Sequence, residues 1–88
     1  MNKKELGEQL KVLLKKEIDI VILSRWAFSI YSNNCRNLDP SMEEILEYLF
    51  SMEDDPQFEL TEQELSLLAE MLINNEADPI KKIYAMRG

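Results

Sequence analysis

Seven carboxylates fall within seventeen residues of this chain, at Glu43, Glu44, Glu47, Glu53, Asp54, Asp55 and Glu59, with Phe58 in their midst. Carboxylates can exchange protons, ligate a cation or meet a basic surface, and the spacing discriminates among these. Glu43 and Glu47 stand one helical turn apart, but catalytic acid–base pairs face each other across a pocket, whereas two acids on one helix face both project toward water. The run Glu53, Asp54, Asp55 and Glu59 has the charge density of a calcium loop. It lacks the alternate ligand positions, the Gly at the sharp turn and the closing bidentate Glu, and Pro56 interrupts it, so adventitious weak cation binding is the most expected of it. The chain has no His, so it can build neither a Cys–His nucleophile pair nor the usual zinc sites. Its single Cys, Cys35, cannot close an intrachain disulfide, although Arg36 beside it would favour the thiolate. Met42, Met52, Met71 and Met86 recur at helical core spacing and read as gap-fillers rather than soft-metal ligands. These readings predict neither catalysis nor a cofactor nor a metal. The remaining chemistry is docking: Glu43, Glu44 and Glu47 on a helix surface beside the Glu53, Asp54, Asp55 and Glu59 loop complement a basic cleft. Phe58 supplies an apolar anchor there unless it folds inward beneath the loop.

The charge distribution sharpens this reading. Net charge is -7, yet residues 1–36 carry +3, residues 37–80 carry thirteen acids and no Lys or Arg, and Lys81, Lys82 and Arg87 return +3. Such a field repels phosphate backbones and anionic lipid and attracts basic proteins, within a Debye length of about 8 Å at physiological ionic strength. Nucleic acid and membrane are therefore disfavoured as partners. A surface that only keeps the protein in solution usually intersperses both signs, which this segment does not; solvation and docking remain the two readings of it.

The elements that must position these groups are legible from apolar periodicity and caps. With 88 residues, 45% of them apolar, two Gly and three Pro, the chain is expected to fold as one all-α domain over residues 1–88, a compact bundle of four helices plus a short C-terminal helix. Asn2 caps a first helix over residues 3–16, with Glu5 as capping-box partner, Met1 stapling on Leu6, and Leu6, Leu10, Leu13 and Leu14 facing inward; Gly7 is its weak point. Asp19 caps a second, flanked by a staple of Ile18 and Leu23. Its stripe of Leu23, Trp26, Ala27, Ile30 and Tyr31, widened by Val21 and Phe28, marks it as the centre of the core, with Trp26 structural; a buried strand over 20–23 is the competing reading. Asp39-Pro40 opens a third helix, with Ser41 and Glu44 as a second capping box and Met42, Ile45, Leu46, Leu49 and Phe50 turned inward. Thr61 and Glu64 form the clearest capping box, stapled by Leu60 and Leu65, and Leu65, Leu68, Ala69, Leu72 and Ile73 line one face of the fourth helix. Asn74-Asn75 ends it, and Asp78-Pro79 starts a fifth helix that contacts the core through Ile80, Ile83 and Tyr84 and frays at Arg87-Gly88. The longest apolar run, Ile20 to Leu23, is far shorter than the roughly twenty residues needed to span a bilayer. The Met1-Asn2-Lys3-Lys4-Glu5 start leads into no apolar stretch, so a cytoplasmic location is expected.

In size, acidity and helicity over its whole length, and in Arg25-Trp26-Ala27 and the Leu60-Thr61-Glu62-Gln63-Glu64-Leu65 helix start, the chain resembles the small acidic all-helical immunity proteins of bacterial toxin systems, such as those of bacteriocins and contact-dependent growth inhibition. That resemblance implies a non-catalytic inhibitor that covers the basic substrate cleft of a toxin nuclease with carboxylates. It carries over no residue by position. The alternative is a structural or regulatory helical protein that acts as a homodimer through an apolar patch of Val21, Phe28 or the fifth helix.

Overall fold

The helix starts follow the capping chemistry. In the computed structural model, which describes residues 2–16, 19–34, 36, 38, 40–55 and 59–87, five helices run α1 (Lys3–Leu14), α2 (Ile20–Asn34), α3 (Pro40–Ser51), α4 (Glu62–Ile73) and α5 (Pro79–Arg87). Asn2 Oδ1 accepts the Glu5 N–H at 2.8 Å, one half of the expected box, and Asp19 Oδ1 accepts the Ile22 N–H at 2.9 Å. At α4 the box is complete: Thr61 Oγ1 accepts the Glu64 N–H at 3.1 Å, and Glu64 Oε1 accepts the Thr61 N–H at 2.9 Å. Leu60 and Leu65 are both buried, as the staple requires. No hydrogen bond joins Ser41 to Glu44 among the described residues, and α3 begins on Pro40, whose fixed φ suits the first helical position. Met1, Ile18, Asp39 and Cys35 lie outside the described residues.

Three boundaries differ from expectation or resolve it. α1 stops at Leu14, two residues early, where the Lys15 N–H reaches the Lys11 carbonyl at 3.3 Å and the Lys16 N–H tightens the last turn onto the Leu13 carbonyl at 3.1 Å. Residues 20–23 are helical, and no strand occurs among the described residues. Asn75 and Asp78 adopt φ of 56° and 50°, a left-handed geometry that short polar side chains tolerate, and so reverse the chain between α4 and α5.

Helix α1 packs against α4, α2 against α3, and α5 against α4. The shared core comprises Leu6 and Leu10, Leu23, Ala27 and Ile30, Met42, Ile45, Leu46 and Leu49, Leu65, Leu68, Ala69, Met71 and Leu72, and Ile83, closed by Met52 and Leu60 from the connections. The radius of gyration is 11.9 Å, against about 12 Å for a compact chain of this length. No described helix is long and apolar enough to cross a membrane.

The centre of this core is not α2. That helix buries one stripe, Leu23, Ser24, Ala27 and Ile30, while Val21, Ile22 and Phe28 are exposed and Trp26 is half-buried at the core's edge. The reason lies on the wheel: Val21 and Phe28 share their flank with Arg25 and Ser32, which require water, so the apolar residues there stay outside. The buried Ser24 hydroxyl donates to the Leu49 carbonyl at 3.2 Å and ties α2 to α3. Met86 is likewise outside, at 65% exposure, while Met42, Met52 and Met71 are buried.

Gly7 is not a weak point but the crossing of α1 and α4. A Cβ there would lie 2.6 Å from the Ala69 carbonyl oxygen, 2.8 Å from Leu72 Cβ and 2.9 Å from Ile73 Cγ1. Two of these are backbone or first side-chain atoms that cannot rotate away. Gly7→Ala improves helix propensity by about 1 kcal/mol, yet urea denaturation should show a net loss of about 1–3 kcal/mol from the forced separation of the helices. An unchanged or higher midpoint would contradict the crossing.

Candidate functional site

On α3, Glu43, Glu47 and Phe50 are spaced i, i+4, i+7 and form one stripe that borders α2. After Ser51 the chain winds out in a hydrogen-bonded turn in which the Asp54 and Asp55 N–H groups both reach the Ser51 carbonyl, at 3.2 and 3.1 Å. That turn holds Glu53 and Asp54 beside Phe50. Across the seam, α2 contributes Phe28 and Tyr31: Phe28 meets Phe50 edge-on, with centroids 5.4 Å apart at 89°, and Tyr31 meets Phe50 at 5.4 Å and 65°. The Tyr31 hydroxyl donates to Glu43 Oε1 over a long 3.4 Å. Ser24, Arg25, Phe28, Phe50, Glu53 and Asp54 line a shallow cleft of about 350 Å³.

The predicted acidic cluster is thus split. Glu43, Glu47, Glu53 and Asp54 gather along the α2–α3 seam. Glu44 turns the other way, into a crevice with Asp78, Pro79, Ile80 and Lys81 at the start of α5. Glu59 lies on the far side of the connection, on a groove with Asp19, Ile20 and Glu62, and its carbonyl accepts from Arg87. Asp55 is half-buried. Phe58 lies outside the described residues; Phe28, 54% exposed, is the large apolar side chain that the structure places among the acids.

The C-terminal cations account for much of this sorting. Arg87 does not fray: its Nε and Nη2 donate to the two Glu64 oxygens at 2.6 and 2.7 Å, and Nη2 also reaches the Glu59 carbonyl at 3.3 Å. The guanidinium lies 5.0 Å over the Tyr84 ring, which packs edge-on against Tyr48, and the two tyrosine hydroxyls are hydrogen-bonded. Burial, and then that hydrogen bond, raise the Tyr48 phenol above its ordinary range. Lys82 pairs with Glu76 at 3.1 Å. Arg87 and Lys82 are therefore engaged at α4 and the turn that follows it, while Lys81 borders the Glu44 crevice. Among the described residues no ion pair reaches Glu43, Glu47, Glu53 or Asp54, and Arg25 is the one base lining their cleft. No described group of three acids or Cys could hold a metal ion.

Phe28, Phe50 and Tyr31 were readable in part. The stripe Val21, Arg25, Phe28 and Ser32 runs i, i+4, i+7, i+11, and the alternation of apolar residues with Arg and Ser along it signals a wet flank. The pairing of α2 with α3, which brings Phe50 to it, has no local signal. Compared with protein-family models, with curated proteins and with solved structures, the chain finds no match in any of the three.

Glu64 makes the Arg87 clasp pH-dependent. The Arg87 guanidinium, and then the Thr61 N–H, hold its carboxyl down from 4.5 to about 2. A carboxyl lowered in the folded state contributes stability that is complete above its unfolded value and is lost as pH falls toward the folded one. Arg87→Ala should therefore lower Tm by a few degrees at pH 7, and the gap from wild type should narrow between pH 4.5 and 2. Thermal unfolding followed by circular dichroism checks this, and a gap constant down to pH 2 would contradict the clasp.

Proposed function

We propose that this protein is a non-catalytic protein-binding module of the immunity type, whose α2–α3 face masks a basic protein such as a toxin nuclease domain. Four longer helices serve as the bundle and α5 braces it. The observation that carries the reading is the half-exposed Phe28, packed on Phe50 between Glu53, Asp54, Glu47 and Glu43, none of them joined to a described basic partner. Carboxylates steer a basic surface in and set its register, while a rigid aromatic residue at the centre supplies the desolvated contact that holds it. The same field disfavours nucleic acid and anionic lipid. A homodimer is the second reading, favoured by the exposed Val12 and Ile22 near half-buried Trp26 on the α1–α2 side.

One experiment separates the two. Tagged protein captured from native lysate at low and at elevated salt should retain one basic protein that salt releases. Phe28→Ala, and separately Glu53→Ser with Asp54→Ser, should retain at least about tenfold less with unchanged circular dichroism. Equal retention by the variants would remove the face from the account, and retention of untagged copies alone would favour the homodimer.

A further inference from the structure

We propose that the cleft between Phe28 and Phe50 receives an arginine side chain of the basic partner, its guanidinium lying against the aromatic rings and donating to the carboxylates of Glu53 and Asp54. The inference rests on the reading of the α2–α3 face as the docking surface and names what enters it. Size points to a side chain rather than a helix: at about 350 Å³ the cleft is at the small end of ligand pockets. Its two kinds of wall select the occupant. Phe28 and Phe50 meet at 89°, and Phe28 keeps more than half its surface open, so ring surface is offered to solvent beside two acids. A planar, weakly hydrated guanidinium can lie on a ring and still fork its N–H donors to two carboxylates. An ammonium can satisfy the acids but is too strongly hydrated to gain as much from the rings. Arg25 lines the same cleft, and its single charge against two carboxylates leaves the site net negative. Arg25 is then an internal competitor for the position that the incoming arginine takes.

The test uses the full chain, ¹⁵N-labelled, titrated at low salt with acetyl-Gly-Arg-Gly-amide and, separately, acetyl-Gly-Lys-Gly-amide. The arginine peptide should shift the amides of Phe28, Phe50, Glu53 and Asp54 and bind about threefold tighter than the lysine peptide. Phe28→Ala should abolish that preference while leaving both peptides able to bind, and Glu53→Gln with Asp54→Asn should abolish binding. Arg25→Gln should tighten arginine binding about threefold by removing the competing charge; weakened binding would mean that Arg25 builds the site instead of competing for it and would overturn the proposal. Equal affinity for the two peptides, shifts confined to other acids such as Glu62 and Glu70, or no shifts with either peptide would also overturn it. Those results leave the broader docking reading intact, because salt-dependent capture and its loss in the Phe28 variant report on that separately.

Discussion

The backbones of α1 and α4 meet at Gly7, and the placement of the other helices follows from that contact. With no side chain at the crossing, Leu6 and Leu10 of α1 reach between Leu68, Ala69 and Leu72 of α4, all of them sealed from water. Interiors packed this closely do not admit a further methyl group without moving a helix. The α1–α4 pair then offers one apolar side, which α2 and α3 close by contributing a single stripe each. Helices that close a core from outside keep their outer flanks wet, and the seam between those flanks is where Phe28, Tyr31 and Phe50 come together.

The second constraint is electrostatic. Thirteen acids in residues 37–80 have no base among them, so any compensation must come from elsewhere in the chain. The C-terminal helix supplies it locally: Arg87 clasps Glu64, Lys82 pairs with Glu76, and Lys81 shares a crevice with Glu44. Those contacts fix α5 against the N-terminus of α4 and against α3 through the Tyr48–Tyr84 pair. Neither ion pair involves the acids of the α2–α3 seam. Fold and charge therefore converge on one face: the flank of α3 that meets α5 carries Glu44 and Tyr48, and the opposite flank, which meets α2, carries Glu43, Glu47 and Phe50.

Local chemistry was legible in the sequence, and pairing was not. The all-α class, the Thr61–Glu64 box, the Asn2 and Asp19 caps, and most of the inward stripes of α3 and α4 follow from spacing and side-chain type, because caps and helical periodicity are local; Phe50 and Ile73, expected in those stripes, are only half-buried. Gly7 read as a propensity defect because its role depends on which helix crosses it. Arg87 read as a fraying end because Glu64 lies 23 positions away. Phe28 fits either the core or an exposed patch by apolar character alone, and Arg25 and Ser32 on the same flank are what keep it in water. For the acids, Glu43, Glu47, Glu53 and Asp54 share a face as the i, i+4 pattern and the following turn imply. Glu44 departs because it lies one residue, about 100°, round the helix from Glu43, and Glu59 because its carbonyl faces Arg87 of α5.

A basic protein docked as proposed would cover the α2–α3 seam and not the apolar residues on the α1–α2 side. Amide hydrogen exchange of the captured complex, compared with the free protein, reads that footprint. Docking on the seam should give new protection over residues 24–31 and 47–55, with α1 and α5 exchanging as in the free chain. Protection centred on Val12, Ile22 and Trp26, with the seam unchanged, would contradict it.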